Sequence, residues 1–126
     1  MNDGIVASPG YRPLRLGAIG TGLAMERLHW PAISRLPGHV QVVAFAEPDD
    51  RAAGRFLAQS GLGPSARYSN YHELLARTDL DAVVVLLPID MLFEAARASL
   101  QAGLHVFCEK PPGGDLSAAA EFLSLE

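Results

Sequence analysis

The chain has 126 residues, 49% hydrophobic content and a formal net charge of −4, which suits one folded domain rather than a disordered chain. Acidic residues and arginines are interspersed without a basic stripe, and no stretch is long and apolar enough to span a bilayer. We therefore expect neither a nucleic-acid nor a membrane partner. Cys108 is the only cysteine, so an internal disulfide is excluded and a reducing cytoplasm is the expected location.

The first thirteen residues, "MNDGIVASPGYRP", carry no signal-peptide pattern, and we interpret them as a flexible tail before a domain at 14–126. Within that domain, short apolar runs alternate with longer segments of helical spacing. The apolar runs, which predict strands, are 14–20, 40–47, 81–88 and 104–109, with a short further strand near 66–70. The segments with helical spacing are 23–36, 49–60, 71–77 and 91–102.

The apolar runs are rich in Val, Ile and Leu almost throughout and show no strict alternation. This pattern is typical of strands covered on both faces, which predicts a doubly wound α/β fold with a parallel sheet. In such sheets ligands bind at the carboxyl ends of the strands, so the residues after each strand are candidate site residues. These are "GTGLAM" (20–25), "EPDDR" (47–51), "PIDM" (88–91) and the "EKPPGG" that begins at Glu109.

Gly20, Thr21 and Gly22 form a G-x-G turn after the first strand, and Leu23 and Ala24 open the following helix. The first glycine permits the tight turn, and the second lets the backbone approach a pyrophosphate at the helix N-terminus. The third position of the usual motif is Met25 rather than Gly or Ala. The context favours dinucleotide binding, and a plain tight turn is the alternative.

Glu47 lies at the end of the second predicted strand, 22 residues after Met25. An acid at this point can accept hydrogen bonds from the adenosine ribose hydroxyls, and its charge would repel a 2′-phosphate. This favours NAD. Two alternatives remain open: Glu47 could instead be a helix N-terminal acid beside Pro48, and Arg51 could accommodate a 2′-phosphate, so NADP is not excluded.

The four histidines, at positions 29, 39, 72 and 105, do not stand at metal-ligand spacing with one another or with Cys108. We interpret them as surface or capping residues. No metal site is predicted.

Four segments of the sequence together carry a family resemblance: "GAIGTGLAMERLHWPAI", "VVAFAEPD", "YHELLARTDLDAVVVLLP" and "ASLQAGLHVFCEKP". They resemble the dinucleotide-binding half of the glucose–fructose oxidoreductase, inositol dehydrogenase and MocA family, from about Leu14 to the end of the chain. The Glu-Lys-Pro after "AGLHVFC" is the most specific part. The resemblance implies a nicotinamide-dependent oxidoreductase that acts on a sugar, cyclitol or related polyol.

Within this resemblance Lys110, the only lysine of the chain, would border the nicotinamide and the reacting hydroxyl as the catalytic residue. Glu109 would contact the nicotinamide ribose, and Leu87 and Pro88 would line the cofactor crevice. The resemblance also implies a cis peptide bond between Lys110 and Pro111. A peptide bond before proline is only about 0.5–1 kcal/mol less stable in the cis form than in the trans form.

The sequence departs from the family in two respects. Met91 and Leu92 stand where the family often has Leu-His, and family members continue into a further strand and a substrate domain. We therefore expect a sheet of order 3-2-1-4-5 truncated before its last strand, with no catalytic competence on its own. A split oxidoreductase completed by a partner chain and a non-catalytic NAD(H)-sensing module are the alternatives. The strand at 104–109 would be an open edge, which predicts self-association.

Overall fold

The computed structural model describes residues 12–108, which form a five-stranded sheet with helices on both faces. All neighbouring strands are parallel and their order is β3-β2-β1-β4-β5. The strands are β1 (Leu14–Ile19), β2 (Val40–Ala46), β3 (Arg67–Tyr68), β4 (Ala82–Val85) and β5 (His105–Cys108). The doubly wound parallel fold and its strand order were both predicted, and both are confirmed.

The helices occupy the connections between the strands. They are α1 (Trp30–Ile33), α2 (Asp50–Ser60), α3 (Tyr71–Leu75) and α4 (Ile89–Gln101), with a π-helical segment at Met25–His29 and a 3₁₀ turn at Pro64–Ala66. The part of the chain that the structure describes contains no helix with the length and apolar character needed to cross a membrane.

The two faces of the sheet carry separate apolar clusters, as expected for strands that are covered on both sides. Along β4 every residue is buried, and neighbouring residues alternate between the clusters because side chains of a strand point to opposite faces. One cluster contains Ile19, Ala44, Ala46, Leu74, Leu80, Val83, Val85, Leu92 and Ala95. The other contains Ala18, Met25, Val42, Phe45, Ala53, Phe56, Ala66 and Val84. The strand β5 differs, since Phe107 is 57% exposed.

The first predicted helix, 23–36, is shorter and less regular than its spacing indicates. Helical structure runs from 23 to 33, and within it the backbone N–H of Trp30 donates to the carbonyl of Met25, five residues earlier. Pro31 follows directly. A proline ring has no N–H and collides with the carbonyl four residues before it, so a widened turn before Pro31 lets the helix continue.

The boundaries of β4 and α4 also differ from the prediction. The run 81–88 was predicted as one strand, but β4 ends at Val85 and α4 begins immediately after Pro88. Pro88 supplies no N–H for a further sheet hydrogen bond, while its carbonyl accepts the first helical bond from the N–H of Leu92 at 3.0 Å. The strand has already ended at Val85, and the proline starts the helix.

At the amino end of the sheet, an ion-pair network ties β1 to the loop before β4. Asp79 accepts hydrogen bonds from Arg77 at 2.8 and 2.6 Å and from Arg15 at 3.0 Å, and these bonds hold the pKa of its carboxyl well below the usual range. Asp81 accepts two bonds from Arg12, at 2.7 and 2.8 Å, and one from the backbone N–H of Arg15. These contacts lower the pKa of Asp81 to about 2.

Candidate functional site

A cavity of about 460 Å³ lies at the carboxyl ends of the central strands. This is the edge at which a doubly wound sheet binds its ligands. The cavity is mostly apolar, and the four strand-to-helix connections that follow β1, β2, β3 and β4 surround it. It is lined by Ile19, Gly20, Gly22, Ala46, Glu47, Pro48, Ser69, Asn70, Tyr71, Leu86, Leu87, Pro88 and Met91. The structure therefore brings together five residues predicted for cofactor binding, Gly20, Gly22, Glu47, Leu87 and Pro88.

The two glycines of the turn have different roles. Gly20 has a φ of +94°, and a Cβ atom there would meet the carbonyl oxygen of Leu86 at 2.5 Å, so any larger residue would disturb the fold. At Gly22, by contrast, a Cβ would meet no atom of the described residues within 4 Å. Packing therefore does not require a glycine at position 22. The absence of a side chain there leaves the backbone open toward the cavity.

The Glu47 carboxylate joins the ends of β1 and β2. Its Oε1 accepts a hydrogen bond from the backbone N–H of Thr21 at 2.8 Å, and its Oε2 accepts one from the N–H of Asp49 at 3.1 Å. The Thr21 hydroxyl lies 3.5 Å from the same Oε1, and the Thr21 side chain is buried. The predicted acid and the glycine turn are therefore in direct contact.

The interpretation of Glu47 as a helix N-terminal acid finds no support in the capping geometry. The N-cap of α2 is Asp49, whose carboxylate accepts from the N–H of Ala52 at 2.8 Å. Glu47 precedes the helix and faces the glycine turn. Arg51 lies exposed on the first turn of α2 and is not among the residues that line the cavity.

Arg67 is a contributor to this region that the sequence did not reveal. Its guanidinium donates two hydrogen bonds to the carbonyl oxygen of Glu47, at 3.0 and 2.8 Å, and one to that of Pro48 at 3.2 Å. It also pairs with Asp50 at 2.9 Å. The strand that carries Arg67 has only two residues, and its pairing with β2 depends on contacts that are distant in the sequence.

Ser69, Asn70 and Tyr71 line the cavity and were not predicted as site residues. They follow the carboxyl end of β3, and ligands of such sheets bind at the carboxyl ends of the strands. The sequence signal for this two-residue strand was too weak to single out the residues after it. The Asn70 side chain is occupied as the N-cap of α3, where it accepts from the N–H of Glu73 at 3.0 Å. Burial, with a smaller contribution from the Glu94 charge, raises the pKa of the Tyr71 hydroxyl.

The remaining predicted residues divide into two groups. Leu23 is 53% exposed and Ala24 is half-buried at the start of the helix after the glycine turn. Glu109, Lys110 and the Lys110–Pro111 peptide bond lie outside the described residues, and their roles stay predictions. The strand before them, β5, ends at Cys108 in register with Val85 of β4, so it ends at the same edge of the sheet as the cavity.

The structure accounts for the pair Met91-Leu92, which stands where the family often has Leu-His. Leu92 is fully buried in the apolar cluster beneath α4, where an imidazole would lose its hydration, while Met91 is half exposed and lines the cavity. This wall of the cavity is therefore apolar. Within residues 12–108 no cluster of three or more His, Cys, Asp or Glu side chains could hold a metal ion.

Comparison with known proteins gives a family match over residues 14–126, to the oxidoreductase family with an NAD-binding Rossmann fold that is named after glucose–fructose oxidoreductase, inositol dehydrogenase and MocA. Among curated relatives, a dTDP-3,4-didehydro-2,6-dideoxy-alpha-D-glucose 3-reductase of Saccharopolyspora spinosa is 35% identical over 118 residues. The match covers 90% of this chain and 33% of that protein.

Two solved structures show the same fold. The 3-ketoreductase from Actinomadura kijaniata, in complex with NADP and TDP-benzene, is 33% identical with a TM-score of 0.80 over 90% of this chain and 34% of that one. The myo-inositol 2-dehydrogenase from Lactobacillus plantarum is 29% identical with a TM-score of 0.79 over 90% of this chain and 33% of that one. The chain spans about a third of the length of the curated relatives it matches. It belongs to this oxidoreductase family, as its NAD-binding Rossmann domain.

Proposed function

We propose that the cavity at the carboxyl ends of β1, β2 and β4 binds a nicotinamide dinucleotide, with its pyrophosphate at the Gly20–Gly22 turn and its adenosine ribose at Glu47. The observation that carries this proposal is the contact between Glu47 and Thr21. It joins the glycine turn to Glu47, the only acid among the described residues that line the cavity. Both features belong to the usual NAD-binding pattern, and they meet at one place.

The residues present fit such a group. The open space at Gly22 admits a phosphate close to the backbone, and the helix that starts at Leu23 offers the free N–H groups of its first turn. Leu87, Pro88 and Met91 provide an apolar wall against which a planar ring can pack. A cavity with apolar walls and a few placed polar groups is the usual form of a cofactor site.

For the choice of cofactor we propose NAD over NADP. The Glu47 carboxylate stands where the ribose hydroxyls would bind, so a 2′-phosphate there would place like charges together. The Rossmann fold of the family is NAD-binding, whereas the Actinomadura kijaniata reductase holds NADP, so membership of the family does not fix the cofactor and the residues of this chain determine it. Arg51 is exposed and does not line the cavity, so it does not offset the charge of Glu47 in this arrangement.

The activity we propose for the whole protein is hydride transfer between the nicotinamide and a sugar, cyclitol or related polyol. The bound cofactor would accept or supply the hydride. Lys110 follows the carboxyl end of β5 directly, and we infer that it holds the reacting oxygen and assists its proton transfer. The relatives that act on a dTDP-sugar and on inositol support this substrate class.

A cytoplasmic location is proposed from the single cysteine. Association of chains along the edge of β5 is proposed because, within residues 12–108, β5 pairs with β4 alone and exposes Phe107.

Amide chemical-shift mapping by NMR tests the proposed location of the cofactor. Addition of NADH should shift the amides of Gly20, Thr21 and Gly22 and of Glu47. The amide of Gln41, at the opposite end of β2, should not move. Saturable binding that shifts Gln41 and leaves the glycine turn unchanged would refute the site.

A further inference from the structure

We propose that Arg67 is a positioning residue that holds Glu47 in the orientation needed to receive the cofactor ribose. This inference rests on the proposed function, because Glu47 has that role only if the cavity binds a dinucleotide. Arg67 does not line the cavity, so it would act through Glu47 and not by touching the cofactor.

Arg67 supplies hydrogen-bond donors at the point where the pairing between β2 and β3 ends. Pairing between β2 and β3 stops at Ala46 and Tyr68, and one further bond joins the N–H of Glu47 to the carbonyl of Tyr68 at 2.9 Å. Beyond this point the chain turns at Pro48, and the carbonyls of Glu47 and Pro48 have no strand to pair with. The guanidinium of Arg67 supplies donors to both of them.

The backbone and the carboxylate of Glu47 are therefore held by different groups. Its backbone N–H and carbonyl are held by β3, through Tyr68 and Arg67, and its carboxylate oxygens are held by the N–H groups of Thr21 and Asp49. A side chain held from both ends loses little freedom when a ligand binds, which favours affinity. Hydrogen bonds from a charged donor are also stronger than neutral ones.

The geometry requires an arginine. The three nitrogen atoms of the planar Arg67 guanidinium contact the carbonyls of Glu47 and Pro48 and the carboxylate of Asp50. A lysine carries its donors on a single atom and cannot span these acceptors. The pair with Asp50 contributes little, because the Asp50 side chain is 92% exposed whereas that of Arg67 is only 24% exposed.

The first test uses the 126-residue chain without cofactor. In Arg67→Ala, hydrogen exchange of the Thr21 and Asp49 amides should accelerate by about tenfold relative to the Val84 amide in the core, since the hydrogen bonds to Glu47 lose their support. Asp50→Asn and Arg55→Ala should change these rates by less than about twofold. The second control removes Arg55, an exposed arginine of α2 whose ion pair is with Glu26 of the π-helical segment and not with the Glu47 region. Equal acceleration of all amides, or no acceleration, would overturn the proposal.

The second test measures cofactor affinity. Arg67→Ala should raise the Kd for NADH by about tenfold, and Arg67→Lys should restore little of the loss. In a Glu47→Ala background the same arginine substitution should change the Kd by less than about twofold, because its effect passes through Glu47. Full rescue by lysine, or an undiminished effect in that background, would refute the positioning role. If the wild-type chain binds neither cofactor, the proposed function fails, and the exchange rates still decide whether Arg67 positions Glu47.

Discussion

The Oε1 atom of Glu47 lies 2.8 Å from the backbone nitrogen of Thr21, which joins the carboxyl ends of two adjacent parallel strands through residues 26 positions apart in the sequence. The contact makes Glu47 part of the glycine turn and not only its neighbour. Substitution of Glu47 should therefore disturb the glycine turn as well as ligand binding, because the backbone N–H of Thr21 would lose its acceptor.

Gly22→Val should weaken NADH binding by at least about tenfold, because the valine side chain would fill the space through which a phosphate approaches the backbone. The thermal midpoint should change little, since no atom of the described residues lies within 4 Å of the new Cβ. Titration calorimetry on the folded variant measures the effect. Gly54→Val is the matched control, with equally open space on α2 away from the cavity. Unchanged affinity in Gly22→Val would place the pyrophosphate elsewhere.

Gly20→Ala should destabilise the fold by about 2–4 kcal/mol, because a positive φ and a collision with the Leu86 carbonyl act together. Gly61→Ala offers the comparison, since Gly61 has a φ of +80° but, among the described residues, no atom near its Cβ position. That variant should lose only the backbone contribution of about 1–2 kcal/mol. Urea denaturation gives both free energies of unfolding, and equal losses would show that the Leu86 contact is unimportant.

Asp79 should contribute stability that depends on acidity. Its pKa is lower in the folded chain than the ordinary value of about 3.9, so its contribution is fully present above about pH 5 and is lost progressively as the pH falls through the folded value. Asp79→Asn should reduce the free energy of unfolding at pH 7 by about 0.5–1 kcal/mol, a modest loss because the group is partly exposed. The difference from wild type should narrow below about pH 4. Urea denaturation across this range measures it, and a difference independent of pH would contradict the assignment.

Self-association should depend on the edge of β5. Phe107→Lys places a charge on the exposed edge and should shift the chain toward the monomer in light scattering at high concentration. Ile89→Lys removes an exposed apolar residue at the start of α4 and should leave the association unchanged. A wild-type chain that stays monomeric, or equal effects of the two variants, would rule out association through this edge.

The sequence predicted the sheet well because β1, β2 and β4 are apolar runs that each carry their own signal. Glu47 and the glycine turn could be placed together because the rule that ligands bind at the carboxyl ends of strands requires only the strand order. Arg67 and the residues after β3 were missed because a two-residue strand has no periodicity, and its place is fixed by long-range pairing with Phe45 and Ala46. The π-helical segment was missed because the spacing of apolar residues that predicts a helix is too coarse to reveal one extra residue in a single turn.

The assignment of the cavity as an NAD site is tested most directly by titration of the wild-type chain and of Glu47→Gln with NADH and NADPH under the same salt conditions. We expect saturable binding of both cofactors to the wild type, with NADH tighter by about tenfold or more. In Glu47→Gln the difference in affinity should be smaller, because the charge that repels the 2′-phosphate is gone. Tighter binding of NADPH to the wild type, or no saturable binding of either cofactor, would contradict the assignment.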